Sequence, residues 1–174
     1  MPVYPVNKRK YRLGLLLWGV LAVSGLRAQE PVEDPGYARL LDHLLSHSVP
    51  EIGVAEANGL EGAVFLDARS GEEYAVSHIR HALWVGYSEF NPDRVRHLPK
   101  DKPVVVYCSV GYRSEKIAEQ LREAGFLRVY NLYGGLFEWV NRGLPVVDRN
   151  GPTGRIHAYN RLWGRWVTQG QKVY

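Results

Sequence analysis

The single cysteine of this 174-residue chain, Cys108, lies between a predicted strand and a predicted helix. The preceding run, residues 104–107 with the sequence VVVY, is β-branched and aromatic, which is typical of a strand buried on both faces. The following segment places Ile117, Ala118, Leu121 and Ala124 on one helical face, with Gly125 at the predicted C-cap. The cysteine therefore occupies the carboxyl end of a strand, the edge where α/β sheets bind ligands.

The loop at residues 108–114, CSVGYRS, is suited to stabilising an anionic sulfur. Backbone N–H groups before a helix N-terminus favour negative charge, so the pKa of Cys108 is expected to be depressed. A cysteine after a valine run is more commonly a small buried apolar residue. Here Gly111 permits a tight loop and Arg113 adds a fixed positive charge, so a reactive thiolate is the preferred interpretation.

Three ordered motifs in the chain resemble those of the rhodanese family of sulfurtransferases. The first is AVFLDAR at residues 63–69, followed by Glu73-Tyr74 and by HIRHA at residues 78–82. The second is Cys-x-x-Gly-x-Arg-Ser at residues 108–114, and the third is NLYGGLFEW at residues 131–139, similar to a closing GG-x-x-x-W segment. The resemblance covers about residues 49–145 and implies a rhodanese-like fold.

The resemblance implies that Cys108 is the catalytic nucleophile. It would take a sulfane sulfur from thiosulfate or a related donor, form a persulfide, and pass the sulfur to cyanide or a thiol. Arg113 would hold the loop and attract an anionic donor, and Ser114 would cap the helix. The residues expected to bind substrate are Ser109, Val110, Gly111, Tyr112, Arg113 and Ser114.

One position departs from the pattern of many thiosulfate-using rhodaneses, which resemble Cys-Arg-x-Gly-x-Arg with two loop cations. This chain has Ser109 at the first of those positions. Polysulfide, a persulfide or a protein donor therefore stand beside thiosulfate as alternatives.

Asp67 and Arg69 are predicted to support the site rather than to take part in the reaction. Asp67 ends a buried strand at the same sheet edge as Cys108, and an ionised acid there is rarely unpaired. We expect the two residues to tie loops together, with Arg69 reaching Glu73 at helical spacing. A carboxylate beside the thiol would oppose thiolate formation.

Two other classes share parts of this pattern. Cysteine phosphatases and arsenate reductases resemble Cys-x5-Arg, whereas Cys108 and Arg113 are separated by four residues. A sulfide-carrying binding module without turnover is the second alternative. No Cys/His pairing at zinc spacing occurs, so neither a metal nor another cofactor is expected.

Strands alternating with helices predict an α/β fold, an open parallel sheet with helices on both faces. Predicted strands are residues 49–54, 63–67, 83–85, 104–107 and 127–130. Predicted helices are residues 37–46, 55–58, a segment capped by Ser70, 92–98, the helix after Cys108, and 135–141.

The amino terminus has the order of a secretory signal peptide. Lys8, Arg9, Lys10 and Arg12 precede an apolar run at residues 13–26, and Ala28 offers a cleavage site. We favour cleavage after Ala28 and export, to the periplasm, over an uncleaved membrane anchor, because a span needs about 20 apolar residues. Removal of residues 1–28 deletes five basic residues and leaves 17 Lys+Arg against 18 Asp+Glu, a net charge of −1. That balance disfavours a nucleic-acid partner.

The remaining chain divides into residues 29–48, a linker and helix; 49–145, the rhodanese-like domain; and 146–174, an extension. The extension carries Tyr159, Trp163 and Trp166 among basic residues. Such a mixture can bind single-stranded nucleic acid, but an exported chain favours aromatic rings that pack on the domain. The expected partners are a small sulfur donor and its acceptor.

Overall fold

A five-stranded parallel sheet in the order β1-β5-β4-β2-β3 forms the centre of the computed structural model, which describes residues 32–174. The strands of this sheet are β1 Glu51–Ile52, β2 Val64–Asp67, β3 Leu83–Trp84, β4 Val104–Tyr107 and β5 Val129–Leu132. The central strand β4 pairs with β2 and β5, with Val106 opposite Leu66 and Asn131. The predicted parallel α/β fold is confirmed.

Helices cover both faces of the sheet. They are α1 Pro35–Leu44, α2 Val54–Asn58, α3 Gly71–Val76, α4 Tyr112–Glu123 and α5 Gly135–Asn141, with a 3₁₀ helix at Pro92–Val95. Alternate residues of β4 enter different apolar clusters: Val105 and Tyr107 pack with α1, α2 and α5, whereas Val104 and Val106 pack with α4. Each residue of β4 is buried, as its uninterrupted apolar run predicts.

Local capping groups explain where two of the helices begin. Ser70 Oγ accepts a hydrogen bond from the Glu73 amide while Glu73 Oε2 accepts one from the Ser70 amide, which forms a capping box at α3. Helix α1 begins at Pro35, two residues earlier than predicted. Asp34 Oδ1 there accepts hydrogen bonds from the amides of Gly36 and Tyr37.

The last strand of the sheet lies two residues later than the sequence pattern predicts. Leu127 is 72% exposed and its amide donates to the Lys100 carbonyl, outside the ladder of β5. Gly125 ends the preceding helix region with φ +88°, so the next residues are used to return the chain to the sheet. The strand therefore extends to Asn131 and Leu132, which pair with β1.

The carboxyl-terminal extension has regular structure that the sequence analysis did not predict. It contains β6 Val146–Asp148, β7 Gly151–Thr153, β8 Arg155–His157, a 3₁₀ helix Trp163–Trp166 and β9 Gln171–Val173. Strands β6 and β7 pair antiparallel, and β8 and β9 pair parallel. Trp166 stacks on Tyr37 of α1 with ring centroids 5.3 Å apart. It also packs against the apolar cluster that contains Val105 and Phe137, so an aromatic ring of the extension does pack on the domain.

Within residues 32–174, no helix is both long and apolar enough to cross a membrane. The predicted leader at residues 1–28 lies outside the described residues. The described part of the chain also contains no cluster of three or more His, Cys, Asp or Glu side chains that could hold a metal ion.

Candidate active site

Cys108 begins a tight loop whose backbone turns toward its own sulfur. The Gly111 amide donates to Cys108 Sγ over 3.1 Å, and Gly111 is also the N-cap of α4. Gly111 has φ +118°, a conformation that L side chains rarely adopt, so glycine is the residue that lets this amide face inward. The predicted combination of loop amide and helix N-terminus is present at the sulfur.

The start of α5 holds the same loop from behind. The Leu136 amide donates to the Cys108 carbonyl over 2.8 Å, and the Phe137 amide donates to the Ser109 carbonyl over 3.1 Å. Gly135 has φ +57°, and a Cβ built on it would lie 2.6 Å from the Cys108 carbonyl oxygen. The second glycine of the Gly134-Gly135 motif therefore permits the close approach of two backbones.

A buried asparagine that the sequence analysis did not single out braces the turn. Asn131 Nδ2 donates to the Gly111 carbonyl over 3.1 Å, and the Ser114 hydroxyl lies 2.7 Å from Asn131 Oδ1. The expectation that Ser114 caps the helix is wrong, because Gly111 is the N-cap and makes no side-chain cap bond. Ser114 lies within the first turn of α4 and links that turn to β5.

Arg113 is held by Glu73 in a two-pronged ion pair. Its Nη1 donates to Glu73 Oε2 over 2.7 Å and its Nη2 donates to Oε1 over 2.8 Å. Ser109 Oγ donates to the same Oε1 over 2.9 Å. The predicted pairing of Glu73 with Arg69 is therefore wrong. Arg113 should also attract anionic donors less strongly than expected, because its charge faces a carboxylate.

The pKa values of Glu73 and Cys108 are both lowered in this network. Burial raises the pKa of Glu73, but the hydrogen bonds and charge of Arg113 outweigh it and lower that pKa to about 2. Burial likewise raises the pKa of the Cys108 thiol, whereas Arg113 and hydrogen bonds from Ser114 and the Gly111 amide bring it below its ordinary value. The loop thus favours a thiolate, as its sequence predicts.

Asp67 and Arg69 form a separate buried pair on the other face of the sheet. Arg69 Nη2 donates to Asp67 Oδ2 over 2.7 Å and to the Ser77 carbonyl over 2.6 Å. Asp67 pairs in register with Tyr107, whose side chain belongs to the cluster opposite that of Cys108. These contacts agree with loop support rather than participation beside the thiol.

The His78 side chain makes its contacts with Tyr74 rather than with the cysteine loop. Its ring stacks on that of Tyr74, and its Nδ1 lies 3.0 Å from the Tyr74 carbonyl oxygen.

A cavity of about 330 Å³ opens over Cys108. Its lining comes from α1, the cysteine loop and the extension, and consists of Leu44, Cys108, Ser109, Val110, Tyr112, Arg113, Tyr159 and Trp163. Four of the six residues predicted to bind substrate line the cavity, and Gly111 and Ser114 do not. Three lining residues were not predicted, because they lie far from the loop in the chain: Leu44, Tyr159 and Trp163.

Residues 54–142 match the rhodanese-like domain family, and the chain therefore belongs to the rhodanese-like family of sulfurtransferases. A sulfurtransferase of Allochromatium vinosum is 37% identical over 91 residues, which cover 52% of this chain and 84% of that protein. The tRNA uridine(34) hydroxylase of Cronobacter sakazakii is 36% identical over 154 residues, and the match covers 72% of this chain but 44% of that protein.

Solved structures show the same fold. A Bacillus halodurans protein matches with a TM-score of 0.53 and 26% identity, over 68% of this chain and 89% of that one. The thiosulfate sulfurtransferase of Pseudomonas aeruginosa matches with a TM-score of 0.53 and 25% identity, over 74% of this chain and 25% of that one. These matches support sulfur transfer as the general chemistry of the site.

Proposed function

We propose that Cys108 carries a sulfane sulfur from thiosulfate or a related donor to a thiophilic acceptor. The observation that carries the proposal is the Gly111 amide, which donates to Cys108 Sγ over 3.1 Å. This amide stabilises the Cys108 thiolate, which is the nucleophile of the first step and the leaving group of the second. The named activity of the Pseudomonas aeruginosa relative supports thiosulfate as a candidate donor.

The transfer occurs in two balanced steps. The Cys108 thiolate attacks the outer sulfur of the donor, a Cys108 S–S bond forms, and the donor S–S bond breaks. With thiosulfate the electron pair leaves with sulfite. Cyanide or a thiolate then attacks the outer sulfur of the persulfide, takes it as thiocyanate or a new persulfide, and restores the Cys108 thiolate.

The phosphatase alternative requires an arginine that faces a tetrahedral oxyanion. Both terminal nitrogens of Arg113 instead donate hydrogen bonds to Glu73, and one of them also donates to Ser109 Oγ over 3.1 Å. Phosphate would have to compete with a carboxylate that is held in place by Ser70 and Ser109. The geometry therefore favours sulfur transfer over phosphate ester hydrolysis.

We do not propose tRNA hydroxylation as an activity of this chain. The chain spans less than half the length of the tRNA uridine(34) hydroxylase it matches at 36% identity. The sulfur chemistry of the cysteine loop is the part that this chain's own geometry supports.

The test is persulfide formation at Cys108, followed by turnover. After incubation with thiosulfate, mass spectrometry should find one added sulfur atom on the Cys108 peptide, and cyanide should release it as thiocyanate. Cys108→Ser should fold normally, because the side chains are similar in size, and should lose both signals. Turnover near the wild-type rate in that variant would exclude Cys108 as the nucleophile. Faster turnover of p-nitrophenyl phosphate than of thiosulfate with cyanide would favour the phosphatase alternative.

We also propose that the protein is exported and that its leader is removed. The support is the charged-then-apolar order of residues 8–28. Amino-terminal sequencing of protein recovered from the export compartment should begin near Gln29. Intact Met1 on a membrane-bound species would instead support an anchored form.

A further inference from the structure

We propose that the carboxyl-terminal extension selects the sulfur donor, through an aromatic wall formed by Tyr159 and Trp163. The favoured donors carry their sulfane sulfur on an organic, preferably aromatic, group and bear a single negative charge. This inference deepens the proposed function and rests on it, since it concerns which donor reaches Cys108.

The cavity has a mainly apolar lining, and its volume is larger than an inorganic sulfur donor needs. Leu44, Val110, Tyr112, Tyr159 and Trp163 present carbon surface around the thiol. The volume of about 330 Å³ lies at the lower end of the range for pockets that bind organic ligands. A thiosulfate ion would leave most of that carbon surface in contact with water.

The charges around the cavity are matched poorly to a dianion. Arg113 is the cation among the described lining residues, and both of its terminal nitrogens are bound by Glu73. Ser109 occupies the position where a second loop cation would stand, and its hydroxyl also donates to Glu73. Removing a dianion from water costs more than removing a monoanion, and this lining offers little uncompensated positive charge in return.

Tyr159 is held at the cavity in a conformation that burial does not explain. Its φ of +63° is unusual for a residue with a bulky side chain, and the residue is 53% exposed. The Tyr159 amide donates to His157 Nδ1 over 3.2 Å, which helps fix the turn. The ring centroid lies 5.6 Å from the Arg113 guanidinium carbon. An exposed residue with an unusual backbone conformation, whose ring lines the same cavity as Cys108, is positioned to stack on a ligand.

The chemical step with such a donor balances without a further reactant. An arenethiosulfonate places its sulfane sulfur on a sulfonyl group. The Cys108 thiolate attacks that outer sulfur, the Cys108 S–S bond forms, the donor S–S bond breaks, and the electron pair leaves with the arenesulfinate. An organic persulfide reacts in the same way and leaves as a thiolate.

The experiment compares three donors with the purified chain: the sodium salts of benzenethiosulfonate and methanethiosulfonate, and thiosulfate. The first two have the same charge and differ in the aromatic group. The value of kcat/KM is measured for each with cyanide as acceptor. Tyr159→Gly removes the ring and suits the positive φ, so it should preserve the backbone. We expect it to lower the benzene-to-methane preference about threefold to tenfold, while thiosulfate changes little.

Taking the ratio in variant and wild type cancels the intrinsic reactivity of each donor. Tyr159→Phe keeps the ring and should keep the preference, as should Tyr87→Ala, which removes an exposed ring outside the cavity lining. Trp163→Leu is a second wall variant, and it should lower the preference as well. Circular dichroism checks that each variant folds.

The outcomes separate the inference from the function beneath it. An unchanged preference in both folded wall variants would overturn the role of the extension while leaving sulfur transfer intact. If none of the three donors adds sulfur to Cys108, the proposed function fails as well. A preference that falls equally in Tyr87→Ala would also overturn the inference, because the effect would then not be local to the aromatic wall.

Discussion

Glu73 and Arg113 bind each other through two parallel hydrogen bonds, 2.7 Å and 2.8 Å long, beside the loop of Cys108. The Glu73 side chain is 3% exposed and that of Arg113 is 20% exposed. Such a planar pair fixes the guanidinium in one orientation, since both terminal nitrogens are engaged. The ion pair therefore holds the positive charge of Arg113 in place beside the loop of Cys108.

Arg113→Ala should raise the pH at which Cys108 is alkylated. The pKa of this thiol is increased by burial and brought below its ordinary value by Arg113 and the loop hydrogen bonds. Loss of the charge should move the midpoint of the alkylation profile upward by about one pH unit or more. The rate of iodoacetamide reaction as a function of pH measures the change.

Glu73→Gln is the matched control for that shift, because it removes the opposing charge and keeps the shape. The alkylation midpoint should then stay or move downward. If both variants move it upward by similar amounts, disorder of the loop rather than charge would account for the effect.

The same carboxylate should make stability depend on acid pH. Burial raises the pKa of Glu73, but Arg113 outweighs it and lowers the pKa from 4.5 to about 2 in the folded protein. As the pH falls, Glu73 is therefore protonated in the unfolded chain before it is protonated in the folded protein. The ion pair's contribution to the free energy of unfolding is fully present above pH 4.5 and is lost as the pH falls toward 2. Glu73→Gln should lower the free energy of unfolding by about 1–3 kcal/mol at pH 7, and by less at pH 3. Urea unfolding at several pH values measures this, and a constant difference would contradict it.

Ser109→Arg tests whether loop charge selects thiosulfate. Ser109 is 5% exposed and bonded to Glu73, so an arginine here would add a second cation at the same carboxylate. We expect a lower KM for thiosulfate, with a smaller effect on the alkylation midpoint. Unchanged thiosulfate kinetics in a folded variant would show that charge at this position does not choose the donor.

Gly135→Ala should damage the cysteine loop from outside it. The new Cβ would lie 2.6 Å from the Cys108 carbonyl oxygen, and the φ of +57° is unfavourable for alanine. Gly143→Ala is the matched control, since Gly143 has φ +73° and open space around its Cβ position. The control should cost about 1–2 kcal/mol from backbone strain, and Gly135→Ala about 2 kcal/mol more from the contact. Thermal unfolding and the alkylation rate of Cys108 measure both effects, and equal losses in the two variants would contradict the contact.

The sheet and the cysteine loop could be predicted because their signals are local. The run at residues 104–107 and the helical spacing after it place Cys108 correctly without knowledge of its neighbours. The capping box at Ser70 is likewise readable from adjacent residues. The observed β5 lies two residues later than the predicted strand. The number of residues that connect α4 to β5 depends on tertiary packing rather than on side-chain pattern.

The partners of the site were not predictable, because each joins segments distant in sequence. Glu73 lies 40 residues before Arg113, and a spacing of four residues made Arg69 the simpler partner. Asn131 meets Gly111 across 20 residues, and Tyr159 reaches Arg113 only because the extension folds back. An aromatic-rich segment indicates packing in general, but its composition does not specify the surface it covers.

The stack of Trp166 on Tyr37 has a practical consequence for work on isolated fragments. The family match at residues 54–142 excludes both rings, and also Leu44, Tyr159 and Trp163 of the cavity. A fragment trimmed to those limits would expose the apolar surface beneath α1 and would lose three of the side chains that line the cavity with Cys108. Donor preferences measured on such a fragment would describe a broader, more open enzyme than the intact chain.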